Sequence, residues 1–153
     1  MSSLRIIAIG KKHESWVAEG IERYEKRLKK PFDYEWVFLP HSSRDGVAAR
    51  QEESERILQR VSDDEYVVLL DERGKLLDSP ALSRLLLTPL EGSKRVTLII
   101  GGAYGVDDTI HHRANTVWSL SALVFPHQLV RLILAEQVYR AQEISAGNPY
   151  HHV

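Results

Sequence analysis

The chain has 153 residues, no cysteine, and 20 basic against 21 acidic side chains, a formal net charge of −1. That length suits one domain with a core large enough to fold alone, and the lack of cysteine excludes disulfide frameworks and thiolate metal sites. The balanced charge argues mildly against a protein that holds nucleic acid by neutralising phosphates, so any RNA contact needs a local patch, several subunits or a larger assembly.

The opening MSSLRIIAIG carries one arginine, a short apolar run and no cleavage site, so it reads as a first strand over 4–9 and not as a signal peptide. No apolar run approaches the roughly 18 residues of a membrane span, and a cytoplasmic location is the expectation. A helical pattern over 14–29 follows. It contains RYEKRLKK, residues 23–30, whose interleaved glutamates suit a solvated helix face or a contribution to an RNA-facing patch. A strand over 34–39, a helix over 46–61 and a strand over 66–71 come next. Asp78-Ser79-Pro80 starts the helix over 80–90, with a capping side chain and then proline in the first turn. After a strand over 95–100, a helix over 107–115 and a strand over 116–120, the last helix covers 127–145 and Gly147 is its stop.

This alternation predicts an α/β fold: a mostly parallel five-stranded sheet flanked by helices, in a single domain spanning 1–153. YVVLLD and VTLIIGG are continuous apolar runs, the pattern of strands buried on both faces, and belong in the centre. Ligands in such sheets sit beyond the carboxyl ends of the strands. The candidate site therefore lies where the third, fourth and fifth strands stop.

IIGGAYG, residues 99–105, is a glycine-rich turn after a central strand, without a G-x-G-x-x-G fingerprint or a Walker lysine. Asp107 and Asp108 follow at a helix start and occupy the positive dipole end that a phosphate would otherwise use. The turn thus suits a neutral or cationic ligand, or is simply a tight turn that needs glycine for its dihedrals. The segment from Leu120 to Phe125 offers backbone donors and acceptors, serines and apolar side chains. It reads either as the lining for a flat heteroaromatic ring or as a buried strand ending in a turn. On the last helix, Val130, Ile133, Leu134, Val138, Ala141 and Ile144 form one apolar face. Leu129, Leu132 and Tyr139 lie on the other side, among Arg131, Glu136, Arg140 and Glu143. They indicate a homodimer interface or scattered exposed hydrophobics. Adjacent His111 and His112 point in different directions on a helix, so no metal site is expected.

Four segments, VVLLDERGK, LIIGGAYG, WSLSALVFPHQLVRLILAEQVYRA and the tail NPYHH, together with the amino-terminal IIAIGK, resemble the large-subunit ribosomal RNA methyltransferase H family of the SPOUT, or α/β-knot, class. Four segments in order at matching spacing are highly specific, and the likeness covers essentially the whole chain. The resemblance implies a carboxy-terminal trefoil knot, which pattern alone would not suggest because chains are as a rule unknotted. It implies an S-adenosyl-L-methionine-dependent enzyme that methylates N3 of a pseudouridine in large-subunit ribosomal RNA, acting as a homodimer on the assembled ribosome. The family's cofactor contacts fall on Leu70, Gly101, Leu120, Ser121, Ala122, Leu123, Val124 and Phe125, the strand ends chosen above.

Given that chemistry, the N3 proton must be removed. His127 is then the candidate general base, or else a helix cap. Tyr150 and His151, from either subunit, are candidates for holding the target base. Arg131 and Arg140 meet phosphate or pair with Glu136 within the dimer. The ending His151-His152-Val153 departs from a common basic ending of the family, so any grip through His152 depends on its protonation. The competing readings are a catalytically idle RNA- or ribosome-binding module of the same fold, and a flavodoxin-like nucleotide-binding domain.

Overall fold

A computed structural model describes residues 3–152, so Val153 of the tail lies outside the described residues. Elements alternate along the chain: β1 (Leu4–Ile9), α1 (Ser15–Glu25), β2 (Tyr34–Leu39), α2 (Gly46–Leu58), β3 (Tyr66–Leu76), α3 (Ser79–Glu91), β4 (Val96–Ile100), α4 (Asp108–Arg113), β5 (Thr116–Ser119) and α5 (His127–Ser145). The strands stand in the order β2-β1-β4-β3-β5, and each neighbouring pair is parallel. As the apolar runs predict, β3 and β4 are inner strands.

Side chains alternate across a strand, so each strand feeds two cores. Leu4, Ile6 and Ala8 of β1 pack on one face with Leu82 and Leu86 of α3 and Leu134 and Val138 of α5. Ile7 and Ile9 pack on the other with Ile57 of α2 and Ile110 of α4. α1 joins the first face by setting Val17 and Ile21 against Ala135 of α5. The cap signals act as read. Asp78 Oδ1 accepts from Ala81 N at 2.8 Å, and Gly147, at φ +72°, donates to Ile144 O at 3.1 Å. No helix among the described residues is long and apolar enough to cross a membrane.

Three features differ from the sequence reading. First, β3 runs five residues past the expected end. Leu70 and Lys75 both pair with Trp118, and Leu76 pairs with Ser119, so the polar DERG segment bulges out and the strand then rejoins β5. Gly74 makes this possible. A Cβ there would stand 2.6 Å from the carbonyl carbon and oxygen of Val117, so backbone meets backbone. This wrap of β3 over β5 is the local feature that fits the knotted carboxy-terminal portion implied by the resemblance.

Second, α1 ends at Glu25, and most of RYEKRLKK lies in the irregular approach to β2. A helix between parallel strands runs back toward the edge where strands begin. The basic run is therefore at the opposite end of the sheet from the candidate site, which removes it as an RNA-facing patch beside that site.

Third, α5 is covered on two sides, because it lies between α1 and α3. Leu132 presses on Gly20 of α1, where a Cβ would meet Leu132 Cδ1 at 2.9 Å. Tyr139 is 7% exposed and packs on Tyr24 and Tyr150. Tyr139 is thereby covered within the protomer, whereas Leu132 is half-buried. Leu129 and Ile133 stay half-buried. Glu136 pairs with Arg140 one helical turn away at 2.7 Å, inside the protomer.

Candidate functional site

Register brings three strand ends together. Leu70 of β3 is level with Ile100 of β4 and Trp118 of β5. Beyond these ends opens a cleft of about 570 Å³, bounded by the 70–73 bulge, the 101–106 turn and the 119–125 loop. Leu70, Gly101, Leu120, Ser121, Leu123, Val124, Phe125 and His127 all line it. Ala122 sits on the exposed side of the same loop and is not part of the lining.

The glycine turn uses its glycines for a tight reversal and a close backbone approach. Gly105 adopts φ +74° and donates its N–H to Gly102 O at 3.0 Å, which closes the turn. At Gly102 a Cβ would stand 2.5 Å from Glu53 Oε1, so the backbone there lies directly over a carboxylate. In the 119–125 loop the serines shape the chain. Ser119 Oγ donates to Ser121 O at 2.9 Å, and Ser121 Oγ accepts from Leu123 N at 3.0 Å. The loop leaves Leu123 70% and Val124 79% exposed, an apolar rim open to a ligand or partner.

Asp71 lies at the edge of the cleft, paired with Arg73. Burial by itself would raise its pKa, but hydrogen bonds from the Arg73 side chain and backbone, with the charges of Arg73 and His111, hold it below the usual carboxylate range. It is an anion at neutral pH. Asp107 accepts from Thr109 N at 3.0 Å and so fills the start of α4, the place a phosphate would need. The two arginines at the rim are already engaged, Arg73 with Asp71 at 3.2 Å and Arg50 with Tyr104 O at 3.0 Å. Apolar walls and main-chain groups at the strand ends, with the charge of Asp71 matched by Arg73, suit a ligand that carries a flat ring.

His127 stands at the mouth of the cleft, in the first turn of α5. The residue preceding the helix is Pro126, and no side chain makes a capping bond, so nothing gives His127 a capping role. Although the residue is exposed overall, burial of its ring, then Arg131 and His41, depress its pKa below 6.5, with Glu53 opposing them. Its imidazole is neutral at pH 7.

Tyr150 and His151 are not in this cleft within the protomer. Tyr150 donates to Glu136 Oε2 at 2.7 Å, and Arg140 lies over its ring and contacts His151 Nδ1 at 3.0 Å. Burial and then Glu136 push the Tyr150 phenol above its usual pKa, so it stays protonated. His151 borders a neighbouring cleft of about 500 Å³ that shares Trp118 and Leu120 with the first.

Sequence reasoning missed the support from α2. Arg50 ties down Tyr104, Ser54 Oγ accepts from Asp107 N at 3.0 Å, and Glu53 underlies Gly102. These contacts span about fifty residues, and no local pattern signals them. It also missed that Arg131 is 2% exposed, with Nη1 donating to Lys11 O at 2.8 Å and the guanidinium set over the Phe38 ring. Arg131 leaves its mark on His13, whose pKa falls to about 4 through burial and then the arginine's charge. The unfolded chain takes up a proton at His13 near pH 6.5 and the native one only near pH 4, so this contribution is complete above 6.5 and is lost as pH falls toward 4. Urea unfolding at pH 7.5 and 4.5 should give a drop larger by about 1–2 kcal/mol in wild type than in His13→Asn, after allowing for solvent screening of a half-buried ring. Equal drops would show that the ring is not held neutral.

Among the described residues, no group of three or more His, Asp or Glu side chains is arranged to hold a metal ion.

Comparison with known proteins agrees with this geometry. A family model described as "Predicted SPOUT methyltransferase" matches residues 2–151. A Desulfitobacterium hafniense protein named Ribosomal RNA large subunit methyltransferase H is 40% identical over 99% of both chains. A protein of the same name from Alkalilimnicola ehrlichii is 42% identical over 97% of both. In fold, the chain is similar to a probable methylase family protein from Haemophilus influenzae, with a TM-score of 0.60, 11% identity, and coverage of 99% of this chain and 71% of that one. A putative methylase family protein from Neisseria gonorrhoeae gives 0.56 at 12% identity, covering 99% and 86%. On the strength of the family model and the full-length relatives, the chain belongs to the SPOUT methyltransferase family, alongside the proteins named ribosomal RNA large subunit methyltransferase H.

Proposed function

We propose that the protein transfers a methyl group from S-adenosyl-L-methionine to N3 of a pseudouridine in large-subunit ribosomal RNA, within the assembled ribosome and as a homodimer. The observation that carries this reading is the cleft at residues 70, 101 and 120–125, apolar in its walls and edged by main-chain groups of three strand ends, in a chain of this family. Bound S-adenosylmethionine supplies an electrophilic methyl group on a positively charged sulfur. Leu120, Phe125 and Val130 offer the apolar contacts for a flat ring, and the turns at 101–105 and 119–123 offer main-chain groups to its edges.

The target N3–H must lose its proton as the new N–C bond forms. His127, neutral at the mouth, accepts that proton, and holding the nucleotide in line supplies much of the rate. Tyr150 and His151 face away from the cleft of their own protomer, so a role for them on the target base requires the partner subunit. The exposed Leu123 and Val124 rim, with half-buried Leu129 and Ile133 on α5, supports a second copy as the occupant. The near-neutral charge supports a substrate found by shape within the ribosome rather than by charge.

Titration calorimetry should show binding of S-adenosylmethionine and S-adenosylhomocysteine and none of a nicotinamide dinucleotide. Mass spectrometry of ribosomal RNA from unmodified ribosomes treated with protein and cofactor should find one added methyl on pseudouridine. Dinucleotide binding, or cofactor binding without turnover, overturns the enzymatic reading. Equal methylation of an isolated stem-loop overturns the ribosomal context, and a monomer by light scattering at micromolar concentration overturns the dimer.

A further inference from the structure

The buried guanidinium of Arg131 is not accounted for by the methyl-donor cleft. Among the described residues no carboxylate lies within ion-pair distance of it, and its Nε is buried without a hydrogen-bond partner. Glu14 is the acid whose charge acts on it, from beyond ion-pair distance, with its carboxylate bonded by the Trp16 indole at 2.7 Å. A buried, unpaired charge is costly and calls for a counter-ion. The Lys11 carbonyl and the Phe38 ring occupy only Nη1 and one face of the group.

The open side of that guanidinium faces a crevice at the end of β1. Gly10 stands there with φ +125°, and the point where its Cβ would lie is 3.4 Å from Arg131 Nη2 and 2.9 Å from His41 Nε2. Two side-chain nitrogens, from α5 and from the end of β2, therefore converge against Gly10, in the space that a side chain there would take. α5 starts beside them with no side-chain cap, so its first-turn N–H groups add to the positive field. Lys11 and Lys12 are exposed on the rim. The acid nearby, Glu53, lies on the far side of the His41 ring, 3.9 Å from Nδ1, and its Oε2 accepts from Ser42 N. The chain leaves β1 for a helix on one face of the sheet and leaves adjacent β4 for a helix on the other. Such a crevice between strands is where open α/β sheets take ligands.

We propose that the crevice formed by Gly10, His41 and Arg131 seats a backbone phosphate of the substrate RNA, beside the cleft that takes the methyl donor. The RNA assignment rests on the function proposed above, whereas anion binding itself does not. His127 joins the two sites. It lines the cleft and sits one helical turn before Arg131, so a phosphate held here belongs to a nucleotide next to the one being methylated.

The test has two arms. In the first, inorganic phosphate is titrated into the protein at constant ionic strength against chloride, and the imidazole signals of His41 and His127 are followed by NMR. Saturable shifts are expected in wild type and their loss in Arg131→Gln. His41→Ala, at an exposed ring, gives the same reading at His127 should the arginine variant fail to fold. In the second arm, ribosome methylation is measured across salt concentrations. His41→Ala should raise KM for ribosomes about tenfold, well beyond any fall in kcat, and reduce the salt slope of log KM by roughly one. Shifts no larger in phosphate than in chloride overturn the seat. Saturable phosphate binding with wild-type KM and salt slope in His41→Ala shows a seat for free phosphate and overturns the RNA assignment. Phosphate binding by a wild-type protein that methylates no ribosome leaves the anion seat standing and removes the proposed function.

Discussion

Gly74→Ala is expected to destabilise the protein by about 3 kcal/mol and to weaken S-adenosylmethionine binding at least tenfold. The added Cβ would lie 2.6 Å from two backbone atoms of Val117 and 2.7 Å from Trp118 N. Backbone cannot rotate away as a side-chain tip can, so the β3 extension must lift off β5. Overpacking of this kind costs about 1–3 kcal/mol, and each pairing hydrogen bond lost adds about 1. The effect reaches the cleft because Leu70, Asp71 and Arg73 lie on the segment that Gly74 pins. Gly46→Ala is the control. It has φ +58° but nothing within 4 Å of a Cβ, so only the backbone conformation opposes it, at about 1 kcal/mol. Urea unfolding and calorimetry on the two variants separate the causes. Equal losses from both would mean that β3 does not press on β5, and the wrap that closes the cleft would have to be given up.

That wrap was also the least legible part of the fold. The five strands and the helix from His127 announce themselves by period and by punctuation, because residues 4–9, 34–39 and 96–100 have only one buried solution each. DERGK carries no apolar pattern. It rejoins the sheet only because Val117 and Trp118, some forty residues later, offer it an edge, and a pairing of that range leaves no local trace. The same limit hid the α2 contacts with the glycine turn. On α5 the period is legible, but a helix wedged between two others buries a second stripe, so Tyr139, on the side opposite the main apolar face, is covered within its own protomer. The burial of Arg131 was hidden for a related reason. Arginine is seldom buried without a carboxylate, and the phenylalanine and glycine that receive it are on other strands. The site itself was legible in position, from strand ends and glycines, but not in chemistry. The anionic character of Asp71 depends on Arg73 and His111 converging on it. For the identity of the cofactor, the sequence relied on resemblance.

His127→Gln should lower kcat about 100- to 1,000-fold while changing the affinity for S-adenosylmethionine less than threefold, the signature of a lost proton acceptor and not of a lost binding contact. The expected pH profile is specific. A free histidine base would give an acid limb at its ordinary value of 6.5. Here burial, Arg131 and His41 all disfavour the imidazolium, so the neutral form persists below that pH, and kcat should begin to fall only under 6.5. Glu53 opposes those effects. Glu53→Gln should therefore move the acid limb lower still, whereas His41→Ala should move it back toward 6.5. A residue that merely shaped the start of α5 would leave the limb where it is in both variants. The opposite movements are the decisive part, since damage to packing lowers rates without choosing a direction in pH. An acid limb at or above 6.5 in wild type, or a His127→Gln enzyme within tenfold of wild-type kcat, would transfer the proton to some other group, and the partner's tail would be the next place to look.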